Sequence, residues 1–483
     1  MQTGDEKLSF WRKVGFGLGD VYGGGAGIII SFYYLYFLTD IVRINAALAG
    51  VVILISKVYD AVTDPLEGVL TDRTRTRMGR RRPYLLAGIP LVFISFFLLF
   101  YPIDLASETS RFLFVIATYL FFSTVVSLVM VSYNALASEL SLDYHERTSI
   151  SSFRIFFSTF SSILCAVLPL EIVKLSPDVH QGYIIMALIF GLLFALPFII
   201  TFFSVRERKS FQKQVQPFSW RATFLEPFQV RTFVVVLLMY ILAFVAMDGV
   251  SSIVIYFMKY YLGRGNEANY VSGTLLVAQV ASLPFYVWLS RRTSKKTGYL
   301  VGAMVWMAAM LFSFAIVPGG PVWMAYTFAA VVGLGTGGIV VMIYAMFPDI
   351  PDVDELKSGQ RREGTYSALT TFSRKLSSAV ALFLISIMLA LAGYRAPVEA
   401  VVDGAKTLVE QQQSEPFLLG LRLIFVFLPI ALVGLALIVA WHYPLDPATH
   451  RRLNAVLAAR REGLADTVAI KAEADELKQL LVG

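Results

Sequence analysis

The chain has 483 residues, of which 57% are hydrophobic and only 16% charged, with a mean hydropathy of +0.67. Soluble domains carry about 25% charged residues, so this chain lacks the polar surface of a water-soluble globule. A soluble enzyme, a coiled coil and a disordered chain are excluded, which leaves an all-α polytopic membrane protein. The net charge of +7 reads as a topology bias rather than an affinity for nucleic acid, and the single cysteine, Cys165, excludes an internal disulfide.

The polar start, Met1 to Lys13, runs into an apolar stretch too long for a signal core, so no cleaved leader is expected. Helix 1 (14–38) is crowded with Gly15, Gly17, Gly19, Gly23, Gly24, Gly25 and Gly27. No strand precedes this run and no Gly-Lys-Ser/Thr follows it, so close helix packing explains it better than a phosphate loop. Helix 2 (46–70) carries Lys57, Asp60 and Asp64. Each mid-helix charge costs roughly 2.5–3.5 kcal/mol to insert, so each needs a partner or a purpose. Asp60 and Asp64 are four residues apart and share one helix face, with Cβ atoms about 6 Å apart. Two bare carboxylates so close repel; a hard cation such as Na⁺, or one shared proton, removes the conflict. A static salt bridge to a distant Lys or Arg is the alternative.

Helices 3 (84–102), 4 (112–140), 5 (152–173, with Arg154) and 6 (183–204) complete a first unit. The division expected is a six-helix bundle over 1–204, a cytoplasmic linker over 205–231, a second bundle over 232–443 and a cytoplasmic tail over 444–483. In the second bundle, helix 7 (232–262) holds Asp248 as a candidate binding residue. Helices 8 (270–289) and 9 (299–317) follow, helix 10 (322–346) carries Gly333, Gly335, Gly337 and Gly338, helix 11 (366–393) holds Arg374 and Lys375, and helix 12 is 421–443. Arg395 to Gln413 is expected to form a short amphipathic helix. In the tail, Leu453, Leu457, Leu464 and Leu477 have helical spacing.

With the N-terminus inside, the outer segments hold only Arg43, Arg111, Lys174, Lys259, Arg264, Arg395 and Lys406, which places both termini in the cytoplasm. The halves echo each other. His145-Glu146-Arg147-Thr148-Ser149 precedes helix 5 as Arg361-Arg362-Glu363-Gly364-Thr365 precedes helix 11, and basic runs follow helices 2 and 8. A six-helix unit used twice marks a transporter with a central cavity. His145, His180, His442 and His450 sit at loops or helix ends without metal-ligand spacing or a Ser-His-Asp grouping, so no enzyme and no cofactor are expected.

Several stretches resemble the glycoside–pentoside–hexuronide:cation symporters of the major facilitator superfamily, the family of melibiose permease. They are Tyr36-Phe37-Leu38-Thr39-Asp40, Tyr59-Asp60-Ala61-Val62-Thr63-Asp64-Pro65-Leu66-Glu67-Gly68, Thr74-Arg75-Thr76-Arg77-Met78-Gly79-Arg80-Arg81-Arg82-Pro83-Tyr84, Tyr133-Asn134-Ala135-Leu136 and Gly420-Leu421-Arg422. The resemblance implies the major facilitator fold, twelve transmembrane helices in two six-helix bundles, and symport coupled to Na⁺ or H⁺ by alternating access in the plasma (inner) membrane. It implies Asp60, Asp64 and Ser127 as the cation site, with Lys375 and Arg154 as counter-charges. The family's sugar-holding carboxylates fall on Gly24 and Met130 here, and its stacking tryptophan on Asn134. Asp20, Tyr22, Tyr133, Asn134, Tyr256 and Tyr34 are the groups that supply hydrogen bonds and aromatic faces in a different arrangement.

The expected partners are a small solute (a sugar, glycoside or sugar acid), a monovalent cation and the bilayer, with a monomeric chain. A lysolipid cargo is the alternative on the same fold; a channel is disfavoured, since no ring of charges lines a pore. The basic turn Arg73 to Arg82 is expected to meet Asp349, Asp352, Asp354 and Glu355 when the inner side closes.

Overall fold

A computed structural model describes residues 8–140, 144–205, 225–359, 362–402, 405–462 and 468–482. Eleven helices are long and apolar enough to cross a membrane among the described residues. The twelfth expected span is the charged helix α2, below. The first six are α1 (Phe10–Tyr34), α2 (Ala46–Arg73), α3 (Arg82–Leu99), α4 (Glu108–Leu140), α5 (Tyr144–Val173) and α6 (Val179–Ser204). The second six are α7 (Arg231–Tyr256), α8 (Ala268–Arg292), α9 (Lys295–Phe312), α10 (Trp323–Met346), α11 (Glu363–Leu391) and α12 (Glu415–Trp441). Most of the linker lies outside the described residues, as do Arg361 and Leu464 and the side chains of His145 and Arg147.

Local chemistry starts these helices. Asn45 caps α2 by accepting the Ala47 N–H at 2.9 Å, Asp178 caps α6 through His180 N–H at 2.9 Å, and Ser294 caps α9 through Thr297 N–H at 3.0 Å. Each side-chain oxygen satisfies a donor that the first turn would otherwise leave bare. The glycine run on α10 serves close packing: a Cβ at Gly335 would lie 2.6 Å from the Trp306 backbone nitrogen of α9.

Packing repeats with an offset of six helices. Contacts of α1 with α5, α2 with α4, α3 with α4 and α3 with α6 recur as α7 with α11, α8 with α10, α9 with α10 and α9 with α12. The halves meet along α2 with α11 and, equivalently, α5 with α8. The repeat reaches the backbone. Both α1 and α7 end in π-turns, Phe37–Ile41 and Phe257–Tyr261, closed by Val42 N–H to Phe37 O and Leu262 N–H to Phe257 O, each 3.0 Å. A left-handed residue follows in both: Arg43 at φ 61° and Gly263 at φ 67°. A glycine fits that conformation without strain, whereas an L side chain costs roughly 1–2 kcal/mol there; the Arg43 guanidinium pairs with Asp104 at 3.2 Å.

Two expectations need correction or completion. The segment expected as an amphipathic helix is a two-stranded antiparallel hairpin, β1 (Val398–Val402) with β2 (Ala405–Val409), Val398 opposite Val409. Val398, Val401, Val402, Thr407 and Val409 are β-branched and favour extended backbone, which outweighs the apparent helical spacing. The tail forms α13 (Pro447–Arg461) and α14 (Val468–Leu481), and Leu453, Leu457 and Leu477 are buried as their spacing suggests. This pair docks on the second half. The Arg231 N–H donates to Val482 O at 3.0 Å, Thr232 Oγ1 to Leu481 O at 2.7 Å, and Arg460 to Leu356 O at 3.0 Å in the short helix Ile350–Ser358.

Candidate functional site

The face of α2 that carries Asp60 and Asp64 turns toward α4 and α11. Tyr59 and Ser56 fix its rotation through hydroxyl contacts to Thr124 at 2.9 Å and Ser123 at 2.8 Å on α4. From the other half, Lys375 Nζ on α11 donates to both Asp64 oxygens at 2.9 and 2.7 Å and to Ser127 Oγ at 2.9 Å. Ser127 Oγ in turn donates to Asp64 Oδ1 at 2.5 Å. Lys375 stands 3.8 Å from Asp60 Oδ2, which accepts from Lys57 Nζ at 2.9 Å. The other oxygen, Asp60 Oδ1, is buried with no hydrogen-bond partner among the described residues. A buried carboxylate oxygen left bare costs free energy, and a bound cation would relieve it. Asp60, Asp64, Ser127, Lys57 and Lys375 therefore form one cluster spanning both halves.

Arg154 is elsewhere. Its Nε donates to Asp20 Oδ2 at 2.5 Å and its Nη2 to Asn134 Oδ1 at 2.6 Å, with the guanidinium 4.7 Å from the Tyr133 ring centre. Arg154 is thus the counter-charge of Asp20 and not of the α2 carboxylates; α5 packs on α1, which carries Asp20, rather than on α2. Tyr133 donates to Phe16 O at 2.7 Å and is buried, so its hydroxyl is committed to α1.

A central cavity of about 360 Å³ lies between the halves. Tyr22, Tyr119, Phe122 and Met130 wall it on one side, and Lys57, Arg374 and Lys375 bring charge to it. Gly24 also lines it, at the position where the resemblance would put a sugar carboxylate. Asp248 does not line it: it holds Arg374 from behind in a bidentate pair of 2.5 and 3.0 Å. Tyr34 is buried against Tyr119, ring centres 5.1 Å apart, and is not among the lining groups.

Tyr256, expected near substrate, instead belongs to a closure at the end of the bundle away from the chain termini. Its hydroxyl lies 2.6 Å from Thr39 Oγ1, while Lys259 Nζ donates to Tyr36 OH at 2.9 Å. Residues 39 and 259, and 36 and 256, are equivalent in the repeat, so these are two copies of one contact. Between them Asp40 accepts from Tyr394 OH at 2.6 Å and from Tyr260 OH, with Lys259 3.5 Å away. Sequence reasoning missed this closure; its signal was Asp40, a charge at the end of helix 1 in the stretch Tyr36 to Asp40. At the opposite end, Asp349 and Asp354 pair inside their own half, with Lys295 at 2.5 Å and Arg362 at 2.7 Å. The hydrogen bond to Asp354 holds the Arg362 pKa above its ordinary value.

A bundle with a central cavity, closed at one end and with ion pairs bridging its halves, is the architecture of a secondary transporter. The chain belongs to the MFS/sugar transport protein family, whose model matches residues 15–447. It is a transporter and not an enzyme. It is 29% identical to a putative sulfoquinovose importer of Salmonella typhimurium over 90% of this chain and 89% of the relative. It is 25% identical to sodium-dependent lysophosphatidylcholine symporter 1-A of Danio rerio, over 91% and 86%. The fold matches the inward open conformation of the xylose transporter XylE from E. coli with a TM-score of 0.62 at 13% identity, covering 92% of this chain and 98% of that one.

Proposed function

We propose that the chain is a monomeric symporter of the plasma (inner) membrane with both termini cytoplasmic, moving a sugar, glycoside or sugar acid together with Na⁺ or H⁺. The units 1–204 and 232–443 rock about the central cavity, with 205–231 as a cytoplasmic linker and 444–483 as a cytoplasmic tail. Asp60, Asp64 and Ser127 hold the coupling ion, and Lys375 is the counter-charge that occupies the site in its absence. One observation supports this most: an ammonium from the second half sits on carboxylates of the first, beside a buried carboxylate oxygen with no partner. An arriving cation takes the carboxylates, the ammonium moves aside, and ion binding becomes linked to the relation of the two halves. Around the cavity, Tyr22 offers a ring to a sugar's C–H face, while Asp20, Asn134 and Tyr133 form a polar cluster about Arg154. A membrane potential of about 100 mV supplies about 2.3 kcal/mol per positive charge, roughly a fiftyfold accumulation.

A lysolipid is the second reading, favoured by the Danio rerio relative. The cavity, near the low end of the roughly 300–1,000 Å³ range of small-ligand sites, suits a sugar better. The test is uptake into proteoliposomes: Asp60→Asn or Asp64→Asn abolishes concentrative uptake and leaves part of the energy-independent exchange. Full accumulation in both variants refutes the ion-site assignment.

A further inference from the structure

The charges around the central cavity are sorted by sign. Every described charged residue that lines it is a cation: Lys57, Arg374 and Lys375. Their carboxylate partners stand behind them, the side chains of Asp60 and Asp248 being only 4% and 6% exposed against 35% for Arg374. A site for an uncharged polyol needs acceptors for hydroxyl protons, and no described carboxylate lines this cavity, while four that stand close to it are paired with cations of the protein. Asp20 is held by Arg154, Asp64 by Lys375, Asp60 by Lys57 and Asp248 by Arg374.

Arg374 is the group best placed to act. Its guanidinium has five N–H donors, and Asp248 takes one from each terminal nitrogen at 2.5 and 3.0 Å. Three donors remain, Nε–H and one terminal N–H along one edge and a second terminal N–H beyond it, on a side chain that lines the cavity. The group is oriented by Asp248 and lies 4.7 Å from the Phe244 ring centre, so little rotamer freedom is lost when it binds. Lys57 uses one of its three donors on Asp60. Lys375 by contrast is fully engaged by Asp64 and Ser127 until a coupling ion displaces it.

We infer that the cargo carries an anionic group, and that Arg374, oriented by Asp248 and assisted by Lys57, is the residue that recognises it. The substrate class is a sugar acid, its carboxylate or sulfonate on Arg374 and its ring against the aromatic wall at Tyr22 and Phe122. The inference rests on the symporter reading above and narrows its cargo. It also connects to coupling: a cation on Asp60 and Asp64 frees the Lys375 ammonium to face the cavity, which raises the positive charge offered to the anion.

The test is cation-driven uptake into proteoliposomes of glucuronate and galacturonate against glucose and galactose, with lysophosphatidylcholine as a further arm. In the wild-type protein the acids are taken up with KM at least about tenfold below the neutral sugars. Arg374→Gln removes most of that ratio by raising KM for the acids, and Arg374→Lys restores part of it. Asp248→Asn, which frees the guanidinium from its competing carboxylate, lowers KM for the acids. A neutral sugar preferred over its acid by the wild-type protein overturns the inference and leaves the symporter reading intact, even if every variant misfolds. An acid-to-neutral ratio unchanged in a folded Arg374→Gln protein does the same. Uptake of lysophosphatidylcholine alone, or no cation-dependent uptake of any compound in the panel, overturns both.

Discussion

Replacing Lys375 by methionine separates a counter-charge that competes with the ion from one that merely neutralises the site. The substitution keeps the length of the stem and removes an ammonium that makes three contacts of 2.7–2.9 Å with Asp64 and Ser127. Hydrogen bonds to a charged group contribute about 1.5–3 kcal/mol each, and breaking a fully buried ion pair costs about 3–5 kcal/mol. Lys375 and Asp64 are each 25% exposed, so solvent screening brings the interaction nearer 2 kcal/mol. An ion that no longer has to displace it gains about that much, which is roughly a tenfold to thirtyfold rise in apparent cation affinity. The unliganded site meanwhile holds Asp60 and Asp64 against Lys57 alone, so the empty carrier returns slowly and concentrative uptake falls. Cation titrations of substrate binding in detergent, followed by uptake in proteoliposomes, measure the two effects separately. Unchanged cation affinity together with normal accumulation refutes the competitive role, and Lys57 then becomes the counter-charge to test.

Two further outcomes follow from contacts away from the α2 cluster. Asp40→Asn keeps the shape but weakens the charge-assisted bonds from Tyr394 and Tyr260 and the attraction of Lys259; it is expected to shift the protein toward the state open at that end by about 1–2 kcal/mol. Faster alkylation of a cysteine introduced beneath the closure, in a Cys165→Ser background, checks this, and an unchanged rate refutes it. Asp446, which caps α13 by accepting the Thr449 N–H at 2.7 Å, has its pKa held below the ordinary carboxylate value by that hydrogen bond. Its stabilising effect is therefore complete above the ordinary carboxylate range and fades only as pH falls through the lowered value; Asp446→Ala loses about 1 kcal/mol at neutral pH, seen as faster hydrogen exchange across 449–460.

The membrane helices and the charged cluster on α2 were legible because each rests on a signal that the bilayer enforces. Apolar length fixes a span, and a charge inside one demands an explanation, so Asp60, Asp64 and Lys375 could be singled out from one sequence. Which cation meets which carboxylate was not legible. Arg154 and Lys375 look alike in sequence, and only the packing of α5 on α1 and of α11 on α2 sends one to Asp20 and the other to Asp64. The pair of Asp248 with Arg374 joins residues 126 positions apart, and no local rule connects them. The hairpin at Val398–Val409 was misread because a short run of alternating character fits either period when no membrane imposes a choice. The docking of the tail was invisible for the opposite reason: helical spacing of leucines shows that a face is buried, but not against what.

The closure around Asp40 also bears on self-association. Its outer contacts, Thr39 with Tyr256 and Tyr36 with Lys259, obey an approximate two-fold axis, and such an axis ordinarily lets a surface pair with its own copy. The residues near the axis have diverged. Asp40 faces its repeat equivalent, Tyr260, and that tyrosine donates the hydrogen bond the carboxylate requires. Two copies of the first half meeting in this way would press two Asp40 carboxylates together away from water, whereas Lys259 of the second half has Glu410 of its own half at 3.0 Å. Like charges opposed in a desolvated contact are a standard means of excluding the wrong partner. The repeat thus retains the geometry of a symmetric dimer while Asp40, with Tyr260 opposite it, favours the mixed pairing of a first half with a second.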